Sequence, residues 1–410
     1  MDFTDTAEEA AFRAEARGWL EKNAEPRSYP GETWKARYGE AEGLARAKDF
    51  QSRKAKAGLA GLTWPVEYGG RSASPILQVI YQQEEARRLV PRGYFEIGLG
   101  MCIPTLLAYA TEEQKRRYAP PALAGAEIWC QLFSEPAAGS DLAGLRTRAV
   151  KDGDHWLING QKTWTSGAHF ADCGIIVTRS DPRAPKHKGL TFFFLDMRST
   201  GIEVRPIRQV SGASNFNEVY FTDVRVPDAQ RLGAVGQGWG VSITTLMNER
   251  LAVGDVAGPD FDEAFALARS VELEDGPAIR NAAVRERLAD WYVRQQGLRY
   301  TRFRTMTALS RGETPGAEAS IGKIVSAGKL QEIAAFGMDL LDMGGAVTDP
   351  VLAPMRAAFQ EAFLYSPGAR IAGGTDEILR NILAERVLGL PPDIRVDKDV
   401  AFDDLPTGRA

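Results

Sequence analysis

Histidine and cysteine are both scarce, at three residues each in a chain of 410. His155, His169 and His187 all fall in the middle third. They are too few for a multi-histidine metal site, so no metal is expected and a catalytic base must be a carboxylate. Cys102, Cys130 and Cys173 are scattered and form neither a disulfide framework nor a metal-ligand spacing, which points to a reducing cytoplasm. Long apolar runs are missing too. The longest, Ile97 to Ala110, is too short to span a bilayer and contains Pro104. The N-terminal stretch MDFTDTAEEAAFRAEARGWLEKNA is acidic and amphipathic, without the apolar centre of a signal peptide, so no membrane is expected. Charge is close to balanced: 50 Lys and Arg against 54 Asp and Glu, a net of -4, give no reason to expect nucleic acid.

What is present is ordinary globular material, 44% hydrophobic and 25% charged, long enough for two or three packed domains. Residues 1–127 carry apolar positions at helical spacing, interrupted by Gly61 to Arg71 and restarted at Ser74-Pro75. Thr111 to Tyr118 has the form of an N-capped helix, acids first and bases later. From 128 to 237 the texture changes to short β-branched and aromatic runs: Gly174–Arg179, Leu190–Asp196, Ile202–Ile207 and Asn217–Val226. Helical period returns from 238 to 390, and 391–410 is acidic and aperiodic, a loose tail. The expected fold is multi-domain α+β: an N-terminal helical domain, a middle antiparallel β-barrel or sandwich, and a C-terminal helical bundle.

The densest stretch is Cys130 to Ser166, CQLFSEPAAGSDLAGLRTRAVKDGDHWLINGQKTWTS. Ala137 to Asp141 is a small-residue loop whose backbone amides can approach a phosphate. Arg146–Lys151 and His155–Ile158 read as strands joined by Asp152-Gly153, and Asn159-Gly160 reads as a second turn. Singly, the loop binds nothing in particular and a Trp at a strand end is packing. Together, in this order, the pieces resemble the middle-domain signature of the acyl-CoA dehydrogenases. WPVEYGG and TEEQKRRYAPP resemble that family's N-terminal domain, NEVYFTDVRVP its last β-domain strand, and GGTDEILR its EGTxQIxR segment. The resemblance covers roughly residues 5–390.

It implies an FAD enzyme that desaturates an acyl-CoA thioester between Cα and Cβ and passes electrons to an electron-transferring flavoprotein. Alternatives are an acyl-CoA oxidase, a nitroalkane-oxidase-like flavoenzyme, or a non-catalytic partner subunit. Carried over by position, Gln131, Phe133 and Ser134 lie along the isoalloxazine and ribityl, Gly139 and Ser140 toward the pyrophosphate, Trp164 against the ring and Ser166 near N5. Thr375 and Glu377 touch the nucleotide. Arg269 and Gly345 fall where the family contacts a neighbouring subunit's FAD, so an oligomer is implied. Ser140, Arg250 and Gly373 fall on the acyl-CoA side. The family's commonest catalytic glutamate precedes the Gly-Thr pair, where this chain has Gly373. A minority carry it in a Glu-Arg pair on a C-terminal-domain helix, and Met247 to Ala252 contains Glu249-Arg250, which assigns the base to Glu249. Glu272 and Leu273 replace Phe and Gly of an Arg-x-x-Phe-Gly element, and Leu341 replaces a Gln that reads the adenine. These losses concern contacts made across subunits, and they leave open a homodimer, a homotetramer or a heterotetramer with a related subunit.

Overall fold

The computed structural model describes residues 5–28, 32–252, 258–311, 316–394 and 397–406, without the side chains of 249–252 and 309–310. It divides into two compact units, Met1–Ala252 with Asp393–Ala410, and Val253–Pro392.

The first unit opens with helices α1 (Ala7–Asn23), α2 (Trp34–Tyr38), α3 (Ala41–Lys56), α4 (Pro75–Glu85), α5 (Ile103–Tyr109) and α6 (Glu112–Leu123). Capping boxes start two of them, Thr6 with Glu9 on α1 and Thr111 with Gln114 on α6. Pro75 starts α4 in its first turn. On the seam between α1 and α4, Phe12, Ala16 and Leu20 meet Ile80 and Tyr81. Glu84 shares this buried face because Arg17 (2.9 Å) and Arg13 (3.1 Å) reach it from α1. Arg17 and then Arg13 overcome its burial and hold the carboxyl below its ordinary range. The apolar run from Ile97 becomes a π-turn, Gly98–Cys102, leading into α5, with Cys102, Ile103 and Leu106 fully buried. Among the described residues, no helix is long and apolar enough to cross a membrane.

The sheet contains β1 (Trp129–Leu132), β2 (Arg148–Asp152), β3 (His155–Ser166), β4 (Cys173–Arg179), β5 (Leu190–Asp196), β6 (Ile202–Ile207), β7 (Phe216–Pro227) and β8 (Arg231–Leu232), in the order β6-β7-β3-β2-β4-β5-β8. Most ladders are antiparallel, but β1 pairs with β4 in parallel. Strand β2 meets β4 only where Arg148 faces Arg179, so the sheet consists of two halves. A common core lies between them: Trp156, Ile158, Val219 and Phe221 from one half pack with Leu132, Ile176, Phe193 and Leu195 from the other. The opposite face of β4 and β5 presents Ile175, Val177, Phe192 and Phe194 to α5, α6 and helix α7 (Gly238–Ala252). Burial on both faces explains why GIIV and LTFFFL read as unbroken apolar runs.

Two expected turns are corrected. The β2–β3 turn is Gly153-Asp154, one residue later than Asp152-Gly153. Asn159-Gly160 makes no turn; β3 runs straight through it with a bulge. Gly160 is needed there for close approach, since a β-carbon would lie 2.7 Å from the Thr147 Cα. Within the tail expected to be loose, the described residues around Phe402 are docked. Phe402 N–H donates to the Ala184 carbonyl (3.1 Å) and Asp403 N–H to that of Pro182 (3.1 Å), docking this segment on the β4–β5 loop.

The second unit comprises α8 (Phe261–Ser270), a hairpin of β9 (Glu272–Leu273) and β10 (Gly276–Pro277), α9 (Ala282–Ser310), α10 (Ser320–Leu340), α11 (Ala358–Ala369) and α12 (Asp376–Arg386). Its core joins Ala264, Leu267, Val284, Leu288, Trp291, Ile333, Phe336 and Phe359. Arg269 occupies the last turn of α8, and Glu272-Leu273, the residues replacing Phe and Gly of the family's element, begin the hairpin.

Candidate functional site

In the first unit, β1 ends in a turn that is tied to β3 residue by residue. Thr163 N–H donates to the Ser134 carbonyl (2.8 Å) and Lys162 Nζ to that of Phe133 (2.9 Å). Glu135 and Ala138 exchange backbone bonds of 3.0 Å around Pro136-Ala137, after which Gly139 and Ser140 are exposed. Below the turn lies an ion pair missed by the sequence reading: Lys162 Nζ to Glu135 Oε1, 2.8 Å, with both side chains buried. The Glu135 carboxylate also accepts Arg146 N–H (2.6 Å) and Thr147 N–H (2.9 Å), which closes the base of the 136–145 loop. Burial pushes the Glu135 carboxyl up, but the Lys162 charge and these donors outweigh it and hold it below the ordinary range. Burial pushes the Lys162 ammonium down, only partly offset by Glu135.

A second bulge, between Lys162 and Thr165, puts Trp164 in the left-handed region at φ +57°. That conformation costs a bulky residue about 1–2 kcal/mol. The strained Trp leaves its ring 57% exposed, resting edge-on against Phe216 at 5.9 Å. Gln131, Ser134 and Ser166 remain partly open, while Phe133, Lys162 and Thr165 are buried. Phe133 packs edge-on against Phe192 (5.7 Å). Thr165 buries an Oγ1 with no hydrogen-bond partner, and a β-carbon at Gly139 would meet nothing within 4 Å. A flat exposed aromatic, flanking hydroxyls, an unfilled polar atom and a loop with open amides fit an extended flavin nucleotide such as FAD.

Arg179, at the end of β4, was also missed. Its buried guanidinium donates to the carbonyls of Ala143 (2.6 Å), Leu145 (3.1 Å) and Lys186 (3.1 Å), so it shapes the loop after Ser140. Burial lowers its pKa to about 10. The signal available in the sequence was a cation ending an otherwise uncharged, mostly apolar strand. Helix α7 is anchored by Thr245, whose hydroxyl meets that of Thr105 at 2.9 Å. Glu249 and Arg250 lie in its last turns; their side chains fall outside the described residues.

In the second unit, Gly373 (φ +65°) and Gly374 (φ +94°) lead into α12. Thr375 caps that helix, its hydroxyl accepting Ile378 N–H at 3.2 Å, and Glu377 is exposed in the first turn. Lys323, again unforeseen, fixes the loop by donating to the carbonyls of Gly374 (2.6 Å) and Arg370 (3.0 Å). Gly345 is buried, and a β-carbon there would lie 2.4 Å from the Met338 carbonyl oxygen. Lys323 sits near the start of α10 and Met338 near its end, a helix of 21 residues. Gly345 therefore belongs to one end of α10 and the Gly373–Thr375 loop to the other, with roughly 20 Å of helix between Lys323 and Met338. Arg269 is exposed on α8, two residues before Val271, which packs against the same core as Leu340 and Leu341. Within one chain, Gly373, Thr375 and Glu377 come together, while Arg269 and Gly345 do not join them.

Residues 6–126, 130–224 and 236–388 match the N-terminal, middle and C-terminal domain models of acyl-CoA dehydrogenase. Acyl-CoA dehydrogenase IpdE1 of Mycobacterium tuberculosis is 36% identical over 391 residues, covering 94% of this chain and 98% of that protein. Acyl-CoA dehydrogenase FadE34 of the same organism is 42% identical over 339 residues; the match covers 82% of this chain but only 45% of FadE34. Among solved structures, the ChsE4-ChsE5 complex from Mycobacterium tuberculosis aligns with TM-score 0.79 at 28% identity, over 96% of this chain and 100% of that one. The Tcur3481-Tcur3483 steroid ACAD aligns with TM-score 0.78 at 28% identity, over the same shares.

Proposed function

The chain belongs to the acyl-CoA dehydrogenase family, an oxidoreductase family, and from that premise we propose that it desaturates the Cα–Cβ bond of a bulky acyl-CoA thioester. The observation that carries this reading is the strained, exposed Trp164 set between Ser134, Ser166 and the open Gly139-Ser140 loop. FAD bound there supplies the acceptor for the β-hydride. The residues that would hold it in the first unit are Gln131, Phe133, Ser134, Gly139, Ser140, Trp164 and Ser166, and the resemblance assigns Thr375 and Glu377 to the nucleotide. Trp164 excludes water from one face, which strengthens the electrostatic interactions of the reacting groups.

Glu249 takes the α-proton as its carboxylate becomes a carboxylic acid. The Gly373 N–H donates to the thioester carbonyl and stabilises the charge that grows there, an effect of a few kcal/mol per donor. Arg250 orients Glu249 or lines the acyl-CoA path, and Ser140 contacts the acyl-CoA. The left-handed backbone at Gly373 disfavours any side chain at the position where the family usually carries its glutamate. Missing bulk there suits branched or ring-bearing acyl groups, and a structural relative is named as a steroid ACAD. Electrons then leave to an electron-transferring flavoprotein. A heteromeric assembly is supported by the ChsE4-ChsE5 likeness, whereas Arg269 and Gly345 lying away from Thr375 fits any oligomer in which they serve a neighbouring subunit.

The test is anaerobic bleaching of the purified yellow protein by a panel of acyl-CoA thioesters. Ring-bearing or branched thioesters are expected to bleach it at least tenfold faster than short linear ones. A hundredfold preference for short linear chains, or a colourless protein, overturns the reading.

A further inference from the structure

The segment after the helical unit returns to the first unit and grips the base of the 139–145 loop. The Phe402 ring, 6% exposed, lies 3.5 Å from the Arg179 guanidinium carbon and 5.1 Å from that of Arg146. Arg179 is the group that holds the Ala143, Leu145 and Lys186 carbonyls. Lys186, itself buried, reaches Asp141 Oδ2 at 3.0 Å and also pairs with Asp397. Ala401 bridges Pro185, and the Phe402 and Asp403 amides close on the Ala184 and Pro182 carbonyls. The negative face of an aromatic ring attracts a desolvated guanidinium. The same ring removes one face of Arg179 from water and leaves its N–H groups committed to the loop carbonyls.

We propose that residues 397–406 form a strap that positions the Gly139–Leu145 loop for its nucleotide ligand, with Phe402 as the positioning residue. The proposal rests on the reading that Gly139 and Ser140 contact FAD or acyl-CoA. The strap works without touching the ligand: Phe402 fixes Arg179, Arg179 fixes the loop carbonyls, and Asp397 and Lys186 hold Asp141 from the other side. Loosening it leaves the chemistry at Glu249 intact and weakens binding.

The experiment compares wild type, Phe402→Ala, Phe402→Tyr and Asp397→Asn by amide hydrogen exchange over 139–145 and by steady-state kinetics with an accepted acyl-CoA. Phe402→Ala is expected to speed exchange of these amides at least tenfold and to raise KM at least fivefold, with kcat within twofold. Phe402→Tyr returns both values to wild type, and Asp397→Asn gives a smaller change in the same direction. Exchange and KM within twofold of wild type in Phe402→Ala overturn the proposal; if that variant does not fold, the same result in Asp397→Asn does so. If no thioester is turned over by any form, the proposed function fails, while the exchange data still decide the strap.

Discussion

Lys162 in the sheet and Leu352 in the helical unit both sit where their residue types are rare, one a fully buried cation, the other an apolar side chain left 76% exposed. The first unit pairs its buried charged groups with its own residues: Glu135 pairs Lys162, three carbonyls and Phe402 take Arg179, and Arg13 and Arg17 take Glu84. The second unit instead exposes Met343, Val351 and Leu352 along the segment that carries Gly345. The first unit exposes apolar residues as well, Val66 and Val210 singly and Ile243 with Met247 on α7, but its Gly139-Ser140 loop is held by a buried ion pair rather than flanked by an apolar patch. The difference separates two kinds of binding surface. One is preorganised within the chain, whereas the other is the kind of apolar patch that a neighbouring subunit covers.

The largest expected effect breaks the self-sufficiency of the sheet. Lys162→Met leaves Glu135 buried without its counter-charge, and such a loss costs about 3–5 kcal/mol. The unfolding midpoint should fall on the order of 10 °C. The double change Glu135→Leu with Lys162→Met should recover most of that loss, because removing both partners leaves no stranded charge. The pair also sets an acid limit. The Glu135 carboxyl is held low in the fold, so its contribution is complete above about pH 4.5 and fades as pH falls through the lowered value. Without Lys162 the folded value rises, and acid unfolding moves to higher pH. A midpoint within 2 °C of wild type in the single variant contradicts the claim that this pair organises the turn.

A smaller effect on stability, but a larger one on assembly, is expected in the other region. Leu352→Asp should reduce the oligomer mass measured by light scattering while leaving the unfolding midpoint within about 2 °C, since an exposed side chain contributes little to the fold. Unchanged mass would show that this patch is not a subunit contact and would remove the contrast between the two units.

Local periodicity and a family signature made much of the architecture readable in advance. Leu190–Asp196 and Ile202–Ile207 are strands to the residue, and Pro75 and Thr111 mark helix starts as their chemistry requires. What escaped was non-local. Asn159-Gly160 has the composition of a turn, but its glycine serves the approach of Thr147, just before β2, which no local pattern encodes. Glu135 and Lys162 are 27 residues apart, and neither announces the other. The strap at Phe402 has no period because it is held by one ring and a few backbone bonds rather than by a repeating face. The candidate ligand residues Gln131 to Ser166 cluster in sequence and take their assignments from the resemblance. Arg269 and Gly345 were found only by resemblance, and one chain does not unite them with Thr375.

The account depends most on Glu249. Rapid mixing of flavin-loaded wild type and Glu249→Gln with an accepted acyl-CoA, without oxygen, reads the base directly. Loss of flavin colour should slow by about 100- to 10,000-fold in the variant, the usual range for a general base, with acyl-CoA affinity little changed. Bleaching at the wild-type rate would contradict the assignment and with it the proposed chemistry.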